Sequence, residues 1–105
     1  MDDTGRTLLI TLSGADRPGV TRGLFTALAG HPVSVLDVEQ LVVRNRLVLA
    51  ALVEVGGGDD EMAAARTAVR HVAAELDMDV ETVPGAGEDD ERRRNRIHEI
   101  GRAHV

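Results

Sequence analysis

Hydrophobic positions follow two different spacings along the chain, and the two spacings alternate. Four segments are short, apolar and rich in β-branched side chains, and they predict strands: residues 7–12, 33–43, 47–55 and 79–83. Apolar residues recur every three or four positions after Pro18 and again over residues 62–76, which predicts two amphipathic helices. The predicted order is therefore strand, helix, strand, strand, helix, strand.

This order is typical of the α+β class, in the ferredoxin-like βαββαβ arrangement, where a four-stranded antiparallel sheet carries both helices on one face. The other face is open, and we expect Val33, Val35 and Leu49 to lie partly bare on it. An uncovered apolar face usually packs against a partner. We therefore expect a homodimer, or a second copy of the domain within the same chain.

Turn and cap residues separate the predicted elements. The link at residues 44–46 is short enough to close a hairpin. Asp59 or Asp60 is expected to cap the second helix. The last strand is expected to end at Pro84, so that the folded domain spans residues 1–84.

The chain changes character from residue 85 onward. An acidic block at residues 88–91 precedes a basic block at 92–96 without apolar spacing, which predicts a solvated linker over residues 85–105. The last six residues, Ile-Gly-Arg-Ala-His-Val, are what a widely used sequencing adapter encodes in one reading frame. We expect residues 95–105 to include such read-through sequence.

The loop between the first strand and the first helix is the most informative segment. Pro18 suits a first helical turn, and Asp16 can accept a hydrogen bond from the free N–H groups of that turn. Gly14 and Gly19 permit a sharp turn and the close approach of a small molecule. A glycine-lined loop before helix N–H groups predicts a seat for a carboxylate. Capping and turn geometry explain the same residues without a ligand, and both interpretations stay open.

Composition excludes several classes of function. The 105 residues contain no cysteine, so disulfides and thiolate chemistry are excluded. The formal net charge of −6 argues against nucleic-acid binding. The first residues are acidic and polar, and no apolar run approaches the roughly 20 residues of a membrane span, so we expect a cytoplasmic protein with no membrane contact.

The chemistry-bearing residues narrow the choice further, because this fold hosts many activities. A metal chaperone would need a cysteine pair in the first loop, and Pro18 removes an N–H that the phosphate cradle of an acylphosphatase would use. An RNA-binding protein would carry aromatic side chains on its central strands, whereas Phe25 lies on a predicted helix. None of the four histidines has the spacing of a metal ligand. We predict no metal site and no catalytic residue.

Residues 7–83 resemble the ACT domain, a small-molecule regulatory module of amino-acid metabolism. The resemblance rests on the motif G-x-D-x-P-G-V at residues 14–20. More narrowly, the Asp-Val-Glu-Gln strand at residues 37–40 and the tight hairpin at 44–46 are similar to the N-terminal ACT domain of bacterial phosphoserine phosphatases.

The resemblance implies that an amino acid, typically serine, binds at an interface between paired ACT domains. The N–H groups of Gly19 and Val20 would receive the ligand carboxylate, and Asp16 would accept from its ammonium group. Residues 37–40 would contribute from the neighbouring strand or from the partner domain. The candidate ligand-binding residues are Gly14, Ala15, Asp16, Arg17, Pro18, Gly19, Val20, Asp37, Glu39 and Gln40.

The resemblance further implies an N-terminal fragment of a phosphoserine phosphatase of serine biosynthesis, without its catalytic domain. Such a parent enzyme would use Mg²⁺, and no cofactor is expected in this chain. Asp77-Met78-Asp79 matches the nucleophile motif of haloacid-dehalogenase phosphatases, but it follows a helix instead of a buried strand, and we interpret it as a solvated turn. The alternative is a stand-alone ACT regulator that acts through a protein partner. An enzyme in its own right is poorly supported, because no nucleophile–base pair is visible.

Overall fold

The computed structural model describes residues 6–86 and contains the six predicted elements in the predicted order. The strands and helices are β1 (Arg6–Ala15), α1 (Val20–Leu28), β2 (Val33–Val43), β3 (Arg46–Val55), α2 (Asp59–Glu75) and β4 (Asp79–Ala86). The strands form one antiparallel sheet in the order β2-β3-β1-β4. Both helices cover one face of this sheet, which confirms the ferredoxin-like α+β fold.

Two strands extend further than the sequence pattern predicts. Strand β1 continues through Gly14 and Ala15, because both residues pair with the start of β3. Strand β4 continues past Pro84 to Ala86, two residues beyond the predicted domain boundary. Proline is tolerated there because β4 lies at the edge of the sheet. The linker and tail predicted at residues 87–105 lie outside the described residues.

The hydrophobic core lies between the sheet and the two helices. Alternate residues of the two central strands point into the core and pack against one face of each helix. These core residues are Leu8, Ile10, Leu12, Leu49, Ala51 and Val53 from the strands, Val20, Leu24 and Leu28 from α1, and Met62, Ala65 and Val69 from α2. Full burial of one such aliphatic side chain contributes about 1.5–3 kcal/mol.

The residues predicted to be bare on the open face of the sheet were wrongly assigned. Leu49 is fully buried, because it pairs with the core residue Leu12, and Val33 is half-buried against the core. Val35 is exposed, but it pairs with the core residue Val53 and therefore lies on the helix side of β2, which the helices leave uncovered. An almost continuous apolar strand such as β3 does not reveal which of its two faces meets the helices.

Helix α1 begins later than predicted and has no side-chain cap. Its N-cap is Gly19, which adopts a left-handed conformation with φ of 90°, so Pro18 precedes the helix instead of opening it. Asp16 does not cap the helix, so that prediction is wrong. The backbone N–H of Asp16 donates to the carbonyl oxygen of Asn45 at 2.7 Å, which holds Asp16 at the end of the sheet, before the turn that starts α1.

Helix α2 also begins without a side-chain cap. Its N-cap is Gly58, so Asp59 and Asp60 occupy the first helical positions and the predicted capping role is wrong. Their carboxylates still favour the helix, since negative charge in the first turn compensates the helix dipole. Arg6 at the start of β1 contacts Asp59 at 2.6 Å, an exposed ion pair that contributes little to stability.

The end of α2 explains the aspartate pair that resembles a phosphatase motif. Asp77 takes the left-handed conformation with φ of 59°. The N–H of Met78 donates to Ala73 at 2.8 Å, and the N–H of Asp77 donates to Ala74 at 3.2 Å, which together form a Schellman cap. Asp77 and Asp79 are exposed, so the interpretation as a solvated turn is confirmed.

Substitutions at two glycines show whether the left-handed backbone conformation at the start of α1, and not a lack of room for a side chain, requires glycine. A β-carbon added at Gly19 or at Gly30 would meet no atom within 4 Å, but only Gly19 has a positive φ. We expect Gly19→Ala to lower the free energy of unfolding by about 1–2 kcal/mol. The matched variant Gly30→Ala should leave it unchanged or raise it by about 0.4–1 kcal/mol. Urea unfolding measures the free energy of unfolding of both variants. Equal values would contradict the left-handed conformation of Gly19.

Candidate functional site

The loop that joins β1 to α1 lies beside the hairpin that joins β2 to β3. Its residues 16–19 are exposed at this end of the sheet. The hairpin turn consists of Arg44 and Asn45, whose φ values of 51° and 66° are those of a type I′ turn, so the predicted tight hairpin is confirmed. The hydrogen bond from Asp16 to Asn45 joins the loop to this turn. Loop and hairpin are thereby held as one surface.

A cavity of about 440 Å³ opens between this loop, the first turn of α1 and the adjoining part of the hairpin. Its lining comes from the loop, the helix and both strands of the hairpin: Asp16, Arg17, Gly19, Val20, Thr21, Arg22, Gln40, Val42 and Leu47. The lining therefore combines charged and polar residues with aliphatic ones. Such a lining suits a small zwitterionic molecule.

The N-terminus of α1 supplies a partial positive charge to this cavity. The N–H groups of Val20, Thr21 and Arg22 belong to the first helical turn and have no acceptor within the helix. No side chain in the described part of the chain caps the helix, and its first turn contains no acidic residue. The aligned peptide dipoles therefore favour an anion at this point, and a carboxylate fits that requirement.

Charged side chains of both signs surround the same opening. Arg17, Arg22 and Asp16 are all among the residues that line the cavity. A carboxylate can accept charge-assisted hydrogen bonds from an ammonium group, and guanidinium groups can donate to a carboxylate. The cavity thus offers groups that complement both ends of an amino acid.

A side-chain hydrogen bond connects the helix to the edge strand within the cavity. The hydroxyl of Thr21 donates to Oε1 of Gln40 at 2.7 Å. Thr21 lies one residue beyond the loop motif at residues 14–20, so the motif does not identify it as a candidate. A hydroxyl in the first turn of a helix that follows a ligand-type loop is the signal that could have identified it.

The structure does not gather all the predicted strand residues at the loop. Gln40 pairs with the core residue Leu49 and faces the helix side, where the cavity lies. Asp37 and Glu39 pair with Leu52 and Ala50, and so they point to the opposite face of the sheet. Within one chain, only Gln40 of this strand motif lines the cavity.

Three residues of the predicted loop motif, Gly14, Ala15 and Pro18, do not line the cavity. Gly14 has a packing explanation of its own. A β-carbon at this position would lie 2.7 Å from the sulfur of Met78, so the buried Met78 side chain would have to shift to admit any larger residue.

Two further properties concern only residues 6–86. No three histidine, aspartate or glutamate side chains in this part of the chain lie close enough together to hold a metal ion. Neither of its two helices is long and apolar enough to cross a membrane.

Comparison with known proteins agrees with the fold. The family model described as ACT domain matches residues 6–83. A phosphoserine phosphatase from Streptomyces coelicolor is 42% identical over 101 residues, which make up 94% of this chain and 22% of that protein. A UPF0237 protein from Methanopyrus kandleri is 32% identical over 72 residues, which make up 69% of this chain and 80% of that protein.

A solved structure of an ACT domain protein from Streptococcus pneumoniae superposes with a TM-score of 0.64 at 18% identity. The superposition covers 75% of this chain and 89% of that one. The match to the family model extends over nearly all of the described residues, and the order and pairing of the strands agree with it. The chain therefore belongs to the ACT domain family.

Proposed function

We propose that this chain is a regulatory domain that binds an amino acid, L-serine, at the cavity between the β1–α1 loop and β2. The observation that carries the proposal is the uncapped N-terminus of α1, which opens into a cavity lined by Asp16, Arg17 and Arg22. The ligand carboxylate would bind at the N–H groups of the first helical turn. Its ammonium group would donate to Asp16.

We further propose that the domain belongs to a protein of the phosphoserine phosphatase type. The Streptomyces phosphoserine phosphatase matches 94% of this chain, whereas the chain spans only 22% of the length of that enzyme. Serine is the product of phosphoserine hydrolysis, so a serine-binding domain attached to such an enzyme would respond to the product of its own reaction. The catalytic residues and the Mg²⁺ of the parent enzyme would lie in a separate domain.

A second ACT domain is the proposed partner, and β2 is the proposed contact surface. Beyond the cavity, the helix side of this edge strand exposes Val35 and Val38. Leu41 and Val43 are exposed on its other side, beside Val48 of β3. An edge strand with aliphatic side chains exposed on both faces favours pairing with another chain.

This arrangement suggests a regulatory mechanism. A partner that packs along β2 would border the cavity, since Gln40 and Val42 of β2 line it. The ligand would then bind one geometry of the domain pair more tightly than another and shift the population toward it. The attached catalytic domain would respond to that shift, which is the form that allosteric coupling takes between two sites.

Binding of serine tests the proposal and the role of Asp16 together. We expect calorimetric titration of the 105-residue chain with serine to show saturable binding, and Asp16→Asn to weaken it roughly tenfold because a charged acceptor is lost. The control variant Asp79→Asn removes an exposed carboxylate outside the cavity and should bind as the parent does. If Asp16→Asn binds serine as tightly as the parent chain does, Asp16 is not the acceptor for the ammonium group of the ligand.

Oligomeric state tests the partner surface. We expect the chain to dimerise, and the double variant Val35→Lys, Val38→Lys to raise the dimer dissociation constant at least tenfold, because buried lysines on an edge strand oppose pairing. Thr67→Lys, on the exposed side of α2, is the matched control. Sedimentation equilibrium at several concentrations measures all three proteins. An unchanged dissociation constant in the double variant would contradict the proposed surface.

A free-standing ACT regulator that acts through a protein partner is the second candidate. It is favoured by the UPF0237 relative, 80% of whose length this chain matches. Sequencing the gene across its 3′ end separates the two candidates. We expect the natural frame to continue into a second ACT-like repeat and a phosphatase domain. A stop codon near residue 105 would instead favour the free-standing regulator.

A further inference from the structure

Thr21 and Gln40 present an unused hydrogen-bonding capacity to the cavity. The Thr21 hydroxyl donates its proton to Oε1 of Gln40 at 2.7 Å. A hydroxyl oxygen also carries two acceptor lone pairs, and a glutamine amide nitrogen carries two donor hydrogens. After their mutual hydrogen bond, the two side chains together still offer an acceptor on the helix and a donor on β2.

Thr21 and Gln40 differ chemically from the other residues that line the cavity. Both side chains line the cavity of about 440 Å³. Among its lining residues, Asp16, Arg17 and Arg22 are charged, and the others apart from Thr21 and Gln40 are aliphatic or glycine. Among residues 6–86, Thr21 and Gln40 are therefore the only uncharged polar residues that line the cavity. A neutral hydroxyl group on a ligand finds its matching donor and acceptor here.

We propose that Thr21 and Gln40 form the subsite that recognises the side-chain hydroxyl of the bound amino acid. The hydroxyl of serine donates to Thr21 Oγ1 and accepts from Gln40 Nε2. Alanine, which has the same backbone groups, makes neither hydrogen bond. The inference rests on the proposed function, and it adds that the site selects hydroxy amino acids over their analogues without the hydroxyl. A site that hydrogen-bonds a ligand hydroxyl discriminates in this way because its own polar groups are left without that ligand partner.

The same hydrogen bond could instead serve only to join α1 to β2, and the two roles have different consequences. The Thr21–Gln40 bond is solvent-exposed, so its loss costs little stability and affects serine and alanine binding equally if its role is structural. A recognition role changes the ratio of the two affinities and leaves alanine binding unchanged. The affinity ratio is therefore the informative measurement.

The experiment titrates serine and alanine calorimetrically into the 105-residue chain and its variants. We expect the parent chain to bind serine about tenfold more tightly than alanine, which corresponds to one to two net hydrogen bonds. Thr21→Val, which is isosteric, should lower the ratio toward one with alanine affinity unchanged, because one of the two hydrogen bonds is lost. Thr21→Ser keeps the hydroxyl and should keep the ratio. Gln40→Leu removes the donor from the strand side and should also reduce the ratio.

Thr26→Val provides the matched control. Thr26 lies on α1 but faces the groove between the two helices, so the same substitution there should leave the ratio unchanged. A ratio that persists in Thr21→Val and Gln40→Leu overturns the subsite. So does a parent chain that binds serine and alanine equally, and in both cases the proposed function stands. A folded parent chain that binds neither amino acid overturns the proposed function and the subsite with it.

Discussion

The antiparallel pairing of β1 with β3 is the constraint on which the rest of the structure depends. Its register runs from Arg6 opposite Val55 to Ala15 opposite Arg46, and it sets Leu12 against Leu49 on the core side. Because side chains alternate across a sheet, a shift by one residue would turn every core side chain of β1 toward the open face. The same register brings the end of β1 level with the start of β3. The loop and the hairpin therefore meet at one end of the sheet.

In the described structure, no side chain hydrogen-bonds to the free N–H groups at the start of α1. Side-chain caps commonly stabilise such a terminus by about 1 kcal/mol, and α1 has none. Asp16 does not cap it, and its backbone N–H donates to the carbonyl of Asn45. The fold thus forgoes a small amount of stability where the free N–H groups border a cavity. That combination is the basis on which we propose a binding site here.

Much of the fold could be predicted from local pattern. The bounds of β2 were predicted correctly, because turn-forming residues flank a run that the spacing already marks as a strand. The face of β3 could not be predicted, since Leu47, Leu49 and Leu52 are all apolar and all buried. The cap at Asp16 was wrong for a different reason. The backbone of Asp16 is positioned by its hydrogen bond to the carbonyl of Asn45, a residue distant in sequence that comes close only when the hairpin folds back.

In the candidate site, too, local features could be predicted from the sequence and contacts between distant residues could not. The loop motif is contiguous and could be recognised in the sequence. Thr21 and Gln40 are 19 positions apart, and their contact depends on how α1 returns across the sheet to β2. Asp37 and Glu39 share a motif with Gln40 but alternate to the other face. Residues that are adjacent in this sequence motif therefore lie on opposite faces of the sheet.

The strand order has a consequence for synthesis of the chain. Strand β1 is made first, yet it lies in the interior of the sheet between β3 and β4, and β4 is the last described element to emerge from the ribosome. Until Asp79–Ala86 is available, one side of β1 presents unpaired backbone groups to solvent. Non-local pairing of this kind slows folding and exposes intermediates to aggregation. A nascent or truncated chain that stops before Asp79 is thus a strand-pairing template, and β4 has a protective role besides its structural one.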